Sequence, residues 1–375
     1  MANLIARVEG GSKAYAEANV RVPTTLLNVL GFQQFTARIV SRVTRGLGNV
    51  EIALVLDTTQ SMAGARIDNL KSAATQLIDT LYALPDASTK VKIGVVPFGQ
   101  YVNVGMANRN ASWMSVPADT SINEDWCRDT YPDAVRSNCR MQRVNTTQDG
   151  QPYSYDTEVC DWNYGSPVHV CTPVTTTSTW NGCAGARSNP LNIKDEQYST
   201  RIPGIRNVSC PSPLLPLTHQ ASDIRDSVNA LSPQGDTYIP TGLVWGWRVL
   251  SNRAPFVESA SDPATASGSV RKYLVLMTDG FNTRSPRYAE GDHEGWDAAA
   301  TNQLTRDACD QIKADNDSRI DIFTIAFEVA DEPIKDILRY CATPGGAFFD
   351  AVDYSRLMTA FSDIGNSVTV ARLDR

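Results

Sequence analysis

Glu51-Ile-Ala-Leu-Val-Leu-Asp57-Thr-Thr-Gln-Ser61 is the stretch on which the reading of this chain turns. Residues 51–56 are apolar almost without a break over the length of one strand. The chain then switches at once to a carboxylate and hydroxyls. A strand that is apolar on both faces belongs inside a sheet covered on both sides, the usual setting of parallel strands. The same pattern recurs at 91–98 (Val-Lys-Ile-Gly-Val-Val-Pro-Phe), 272–277 (Lys-Tyr-Leu-Val-Leu-Met) and 320–329 (Ile-Asp-Ile-Phe-Thr-Ile-Ala-Phe-Glu-Val), with a shorter strand expected at 347–351.

Helical stripes alternate with these runs. Across 66–84, Ile67, Leu70, Ala74, Leu77, Ile78, Leu81 and Leu84 recur at steps of three and four, one face of a helix. Ile224, Val228 and Leu231 form a second stripe, and Leu357, Met358, Phe361, Ile364 and Val368 a third. Further helices are expected at 241–251, 297–315 and 332–341. Strand–helix alternation predicts an α/β fold: a doubly wound, mostly parallel sheet with helices on both faces.

Two regions break the alternation. Residues 104–215 are rich in Asn, Ser, Thr, Pro, Tyr and Trp, are poor in aliphatics, and carry six of the eight cysteines. They read as a disulfide-rich insertion without the apolar residues for a core of its own. Residues 35–44 alternate like a half-exposed strand, and so do 367–373. The two are expected to pair as a small β base, because domain termini often lie close together. The layout is thus a flanking segment 1–50, the α/β domain in two parts (51–103 and 216–366) around the insertion 104–215, and a flanking strand 367–375.

In open α/β sheets, ligands sit beyond the carboxyl ends of the strands. Asp57, Thr59 and Ser61 follow the first buried strand, and Thr278-Asp279-Gly280 follows the strand at 272–277. Gly235-Asp-Thr237 stands just before the helix that starts near Thr241. D-x-S/T-x-S, then G-x-T, then T-D-G, in this order and after these elements, resembles the metal-ion-dependent adhesion site of von Willebrand factor A domains. Gln60 departs from the Gly common in relatives, at a position that supplies no ligand, and Thr59 replaces the commoner Ser while keeping a hydroxyl.

The resemblance implies a metal site of Asp57, Thr59, Ser61, Thr237 and Asp279. In the family's ligand-ready state the hydroxyls touch the metal while the aspartates act largely through water, so a partner's Asp or Glu can complete the octahedron. Oxygen donors suit a hard divalent cation, Mg²⁺ first, with Mn²⁺ or Ca²⁺ as alternatives. The bland alternatives are a helix N-cap pair for Asp57 and Ser61 and an ordinary turn at Asp279-Gly280. Asp292, His293 and Glu294 are read as a solvated loop, His169 and His219 as incidental, and Trp245 and Trp247 as packing residues. No G-x-S-x-G, H-E-x-x-H or P-loop occurs. The chain therefore reads as a binding protein rather than an enzyme, with a metal-dependent hydrolase the weakest reading because no general base is in view.

Lys+Arg 34 against Asp+Glu 41 gives a net charge of -7, which argues against a nucleic-acid partner. Eight cysteines without a C-x-x-C pair favour disulfides and an oxidising compartment over a zinc site. Cys309 and Cys341 sit on the helices entering and leaving the strand at 320–329, and are expected to form a bridge, two buried free thiols being the alternative. The apolar stretches are too short to span a membrane, and the N-terminus lacks the core of a signal peptide.

Beyond the metal motif, the chain resembles TadG-like proteins of bacterial tight-adherence (Flp) pilus systems. The residues that carry this are Val22-Pro-Thr-Thr-Leu-Leu-Asn-Val-Leu-Gly31, Glu51 to Met62, Val95-Val-Pro-Phe98, Gly242 to Ser251, Ala254-Pro-Phe256 and Ala360 to Gly365 through Arg372-Leu-Asp. The likeness is poor within 104–215. It implies pilus assembly or surface attachment, a periplasmic or cell-surface location, and an N-terminal inner-membrane anchor absent from this sequence. The partner is then an envelope or pilus protein offering a carboxylate. The alternative is a structural pilus component in which the metal only stabilises the fold.

Overall fold

The computed structural model describes residues 3–9, 13–23, 34–46, 49–84, 87–148, 150–196, 198–261, 264–265, 269–368 and 370–374. The fold is mixed α/β around a central sheet. Five strands lie side by side in the order Phe348–Ala351, Ile320–Phe327, Val270–Thr278, Asn49–Asp57, Val91–Phe98, and every neighbouring pair is parallel. Past Val91–Phe98 the sheet continues through the short strands Val102–Asn103, Trp180–Ala184, Ile202–Arg206 and Met114–Ser115.

The apolar runs divide their side chains between two cores, as the period of two along a strand requires. Ile52, Leu54 and Leu56 join Leu70, Leu77, Ile224 and Phe361, from helices Ala65–Tyr82, Ala221–Asn229 and Tyr354–Val368. Ala53 and Val55 join Leu243, Trp245, Ile312 and Leu338, from helices Ile239–Leu250, Ala298–Ala314 and Glu332–Cys341. Each buried Leu or Ile contributes roughly 1.5–3 kcal/mol relative to exposure. Gly242 and Gly246 let helix Ile239–Leu250 approach the sheet closely. A methyl on Gly246 would stand 2.5 Å from Val55, and one on Gly242 2.7 Å from the Phe98 ring. Cys309 and Cys341, both fully buried, are joined by a disulfide with Cα atoms 5.3 Å apart.

The middle of the insertion stands apart as two antiparallel strand pairs, Thr120–Thr130 with Val168–Ser178 and, joined end to end between them in sequence, the hairpin Val135–Gln148 with Gln151–Asn163; both pairs are called hairpins below. Its two ends enter the domain core, where Trp113, Met114, Trp180, Ile193 and Ile202 are buried. The scattered apolar residues of 104–215 are too few for a separate core, but enough to widen an existing one. Its six cysteines pair as Cys127–Cys171, Cys139–Cys160 and Cys183–Cys210, and no free cysteine is found among the described residues, so the zinc reading falls.

The termini form a sheet of four strands: Asn3–Glu9, Lys13–Pro23, Gln34–Gly46 and Val370–Asp374. The last strand pairs with residues 42–46, Val370 opposite Gly46 and Asp374 opposite Arg42. Residues 35–41 face Lys13–Pro23 instead of the C-terminus. Ser367 and Val368 end the final helix rather than start the strand, because Val368 extends the buried stripe of Phe361 and Ile364. Residues 24–31, within the Val22–Gly31 stretch that resembles the TadG-like proteins, lie outside the described residues. Among the described residues, no helix is long and apolar enough to cross a membrane.

Candidate metal centre

Asp57 is the last residue of its strand and Asp279 the first after the neighbouring strand, so parallel pairing alone sets the two carboxylates at one sheet edge. Asp57 Oδ1 accepts from the Thr59 amide (2.9 Å) and the Thr59 hydroxyl (2.7 Å), and its Oδ2 accepts from the Thr278 hydroxyl (2.5 Å). The Thr59 and Ser61 hydroxyls are 2.9 Å apart, and Ser61 donates to Asp279 Oδ1 at 2.7 Å. Asp57, Thr59, Ser61 and Asp279 thus form one continuous chain of oxygens. Thr237 is buried on the adjoining loop. That loop is tied to the first by Gln60 N to Gly235 O (3.0 Å) and Gln234 N to Thr58 O (2.8 Å), and to the third by Thr283 N to Thr237 O (2.9 Å).

Two carboxylates in one buried pocket are electrostatically costly. Burial, and then the charge of Asp279, push the Asp57 carboxyl well above the ordinary carboxylate range, against the hydrogen bonds from Thr278 and Thr59. A cation relieves that cost, and a set of hydroxyl and carboxylate oxygens without sulfur or imidazole matches a hard divalent ion. The donor set therefore fits the group the motif implies.

Three residues at this edge lie outside the ligand set implied by the motif, although Thr278 belongs to its T-D-G element. Thr278 anchors Asp57. Arg66, in the first turn of helix Ala65–Tyr82, donates from Nη1 to Asp279 Oδ2 (2.9 Å) and from Nε to Glu328 Oε2 (2.8 Å). Glu328 directly follows strand Ile320–Phe327. The rule that selects Asp57 and Asp279, a polar residue just past a buried parallel strand, also selects Glu328. It was hidden because the strand was read as running to Val329, whereas Glu328 takes a positive φ of 53° and leaves the sheet.

The remaining candidates sit elsewhere. His293 is not in a solvated loop: it is buried, stacked 5.0 Å from Tyr101 and tilted against Tyr238 at 4.2 Å, and its Nδ1 donates to Gln100 O at 2.6 Å. Its apolar rings hold it inside although its chain neighbours Asp292 and Glu294 are polar. His169 lies exposed beside Asp129, and His219 contacts Val91 O at 2.7 Å. Trp245 and Trp247 are buried, Trp247 Nε1 donating to Asp315 at 2.7 Å.

The second hairpin reaches this edge. A cleft of about 270 Å³ separates Gln60, Ser61 and Arg66 from Gln148, Gln151 and Tyr153 at the hairpin tip. Gly150 in that tip abuts the Phe281 ring, two residues past Asp279.

No family model matches the chain, and no curated protein matches it. Among solved structures it is similar to the PilB minor pilin of Streptococcus sanguinis (12% identity, TM-score 0.45, covering 98% of this chain and 78% of that one). It is also similar to the vWF domain of the type V pili tip protein Mfa5 of Porphyromonas gingivalis (10% identity, TM-score 0.42, 86% and 95%). A third is the pilus adhesin SpaC of Lactobacillus rhamnosus GG (11% identity, TM-score 0.41, 98% and 34%), so this chain spans about a third of SpaC's length.

Proposed function

We propose that this chain is a cell-envelope binding or assembly protein that docks a partner's Asp or Glu through a divalent cation held by Asp57, Thr59, Ser61, Thr237 and Asp279. Mg²⁺ is the favoured ion. The observation that carries the reading is the convergence of three hydrogen-bonded loops on one strand edge, with two buried carboxylates and the Thr59 and Ser61 hydroxyls in contact. The fold is read as the doubly wound von Willebrand factor A type. The bound ion supplies an electrophilic centre for a carboxylate. The chain's own residues fix the hydroxyls, and the tip of the second hairpin borders the contact. Tight-adherence pilus biogenesis or surface attachment is the process suggested by the TadG-like sequence resemblance, and the disulfides suit a periplasmic or cell-surface setting. Binding rather than catalysis is the role proposed.

Calorimetric titration of Mg²⁺ or Mn²⁺ into chelator-treated protein tests the site. One site is expected, lost in the Asp57→Ala/Asp279→Ala double variant. Equal binding by that variant refutes the assignment. Asp57→Ala that still folds but no longer binds its envelope partner favours docking; loss of the fold favours the alternative of a structural component stabilised by its metal.

A further inference from the structure

Asp279 shows its two oxygens to different neighbours. Oδ1 accepts from Ser61, on the side of the hydroxyl cluster, and Oδ2 accepts from Arg66 at 2.9 Å. The Arg66 guanidinium also lies 3.3 Å from the Ser61 carbonyl and 2.8 Å from Glu328. Asp279's side chain is fully buried, whereas those of Arg66 and Glu328 are about one-third exposed. The guanidinium therefore bridges a buried carboxylate, Asp279, and a partly exposed one, Glu328, beside the cleft that Ser61 also lines.

We propose that Arg66 is a built-in counter-cation that competes with the divalent ion for Asp279 and so sets that ion's affinity, with Glu328 as the second anchor that draws Arg66 away. The inference rests on the metal reading above. In the ion's absence Arg66 compensates the charge of Asp279, as a fork-shaped, permanently charged group does well. When an ion binds beside Ser61, two cations face one carboxylate and repel each other across a pocket of low effective dielectric. Affinity is then lower than the oxygen donors alone would give. Glu328 offsets part of that loss by holding the guanidinium at the rim, so the two residues act on the ion with opposite sign.

Calorimetric titration of Mn²⁺ into chelator-treated wild type, Arg66→Gln, Glu328→Gln and the double variant tests this. Arg66→Gln should tighten binding about tenfold and Glu328→Gln should weaken it several-fold. In the Arg66→Gln background the Glu328 substitution should have little effect, since Glu328 acts through Arg66. Melting in chelator gives a second readout: Arg66→Gln should melt below wild type, and the gap should narrow with saturating Mn²⁺. Unchanged or weaker binding by Arg66→Gln overturns the proposal and leaves the metal site standing. A Glu328 effect of equal size in both backgrounds overturns the role of Glu328 as Arg66's second anchor. Absence of binding in all four proteins removes the metal reading itself, and this inference with it.

Discussion

The strand-end loops and the paired hairpins draw on the same kinds of residue, short polar side chains with interspersed acids, yet they are held by different forces. Asp57, Thr58, Thr59 and Asp279 are at most 2% exposed and nearly every polar atom has a hydrogen-bond partner inside the fold. In the hairpins, Trp126 is 61% and Trp162 48% exposed, and order comes from strand pairing plus one disulfide in each. A buried polar group must be partnered or it costs about 1–3 kcal/mol, so the loops have one arrangement. A two-stranded hairpin with both faces in water has no such penalty to select its position. A polar cluster held by burial thus sits beside strands held by pairing and disulfides alone.

Tryptophan occurs in both regions and separates the two kinds of support. Trp245 is 1% exposed and packs edge-on against Trp113 and at a tilt against Phe256. Trp245→Ala should cost about 3–5 kcal/mol in a denaturant melt. Trp162→Ala, which removes only a stack on Tyr164 and a cation contact with Arg136, should stay within about 0.5 kcal/mol. A cost above ~1.5 kcal/mol at Trp162 would mean that hairpin and core unfold as one unit.

Disulfides give the next largest contrast. Cys309 and Cys341 tie two packed helices across a sequence separation of 32. Chain-entropy arithmetic gives about 3.5–4 kcal/mol for such a loop, with the mechanism model-dependent. Replacing both by Ser should lower the melting temperature by several degrees, while the Mn²⁺ titration that tests the proposed site should give the same result as in wild type. Replacing Cys139 and Cys160 should leave the main melt in place and abolish amide protection only in the second hairpin. A large shift of the main melt in that variant would show that the hairpin supports the core.

How much of this was readable beforehand follows the same division. Continuous apolar runs and three-to-four stripes place the central strands and six long helices within a few residues, because burial against two cores determines both patterns. Asp57, Thr59, Ser61 and Asp279 could be brought together because a parallel strand's end is a position in space as well as in sequence. Arg66 and Glu328 could not, since their meeting depends on how far a long side chain reaches and on where one strand stops. Strands Asn3–Glu9 and Lys13–Pro23 were missed altogether. The pairing of the termini was found, but its register was not: two alternating strands match equally well at several offsets until the neighbouring helix ends.

His293 gives a pH-dependent version of the contrast. Burial pushes its pKa from an ordinary 6.5 down to about 4, against the pull of the Gln100 carbonyl and Asp292. The folded protein keeps it neutral while the unfolded chain protonates it below pH 6.5. Proton uptake by the unfolded state means that this contribution is present above pH 6.5 and is lost as pH falls through 4, by about 3 kcal/mol in all. His293→Gln keeps a donor for Gln100 and should remove that slope, so the stability gap between wild type and variant shrinks on acidification. Urea melts at pH 7 and 4.5 measure it, and a constant gap contradicts the burial argument. His169→Gln, in an exposed hairpin strand, should leave the core's melt unaltered at both pH values.

The smallest effect is expected where the two regions touch. Gly150 sits in the turn between the paired residues Gln148 and Gln151, with φ of 73°, a conformation that costs a side-chain-bearing residue about 1 kcal/mol. A methyl at that position would also collide with the Phe281 ring. Gly150→Ala should therefore strain the turn and lift the tip from the Asp279 loop, without reaching the core on which Phe281 rests. Global stability should change by less than ~0.5 kcal/mol, because the hairpin's local strain is released by local opening. Amide exchange should quicken at 150–153 and stay unchanged at 58–62, where the amides of Thr58, Thr59, Gln60 and Met62 are held by Phe98, Asp57, Gly235 and Thr59. Faster exchange at 58–62 would show that the hairpin tip braces the oxygen cluster, and that the insertion belongs to the site's rigid part rather than to its adaptable rim.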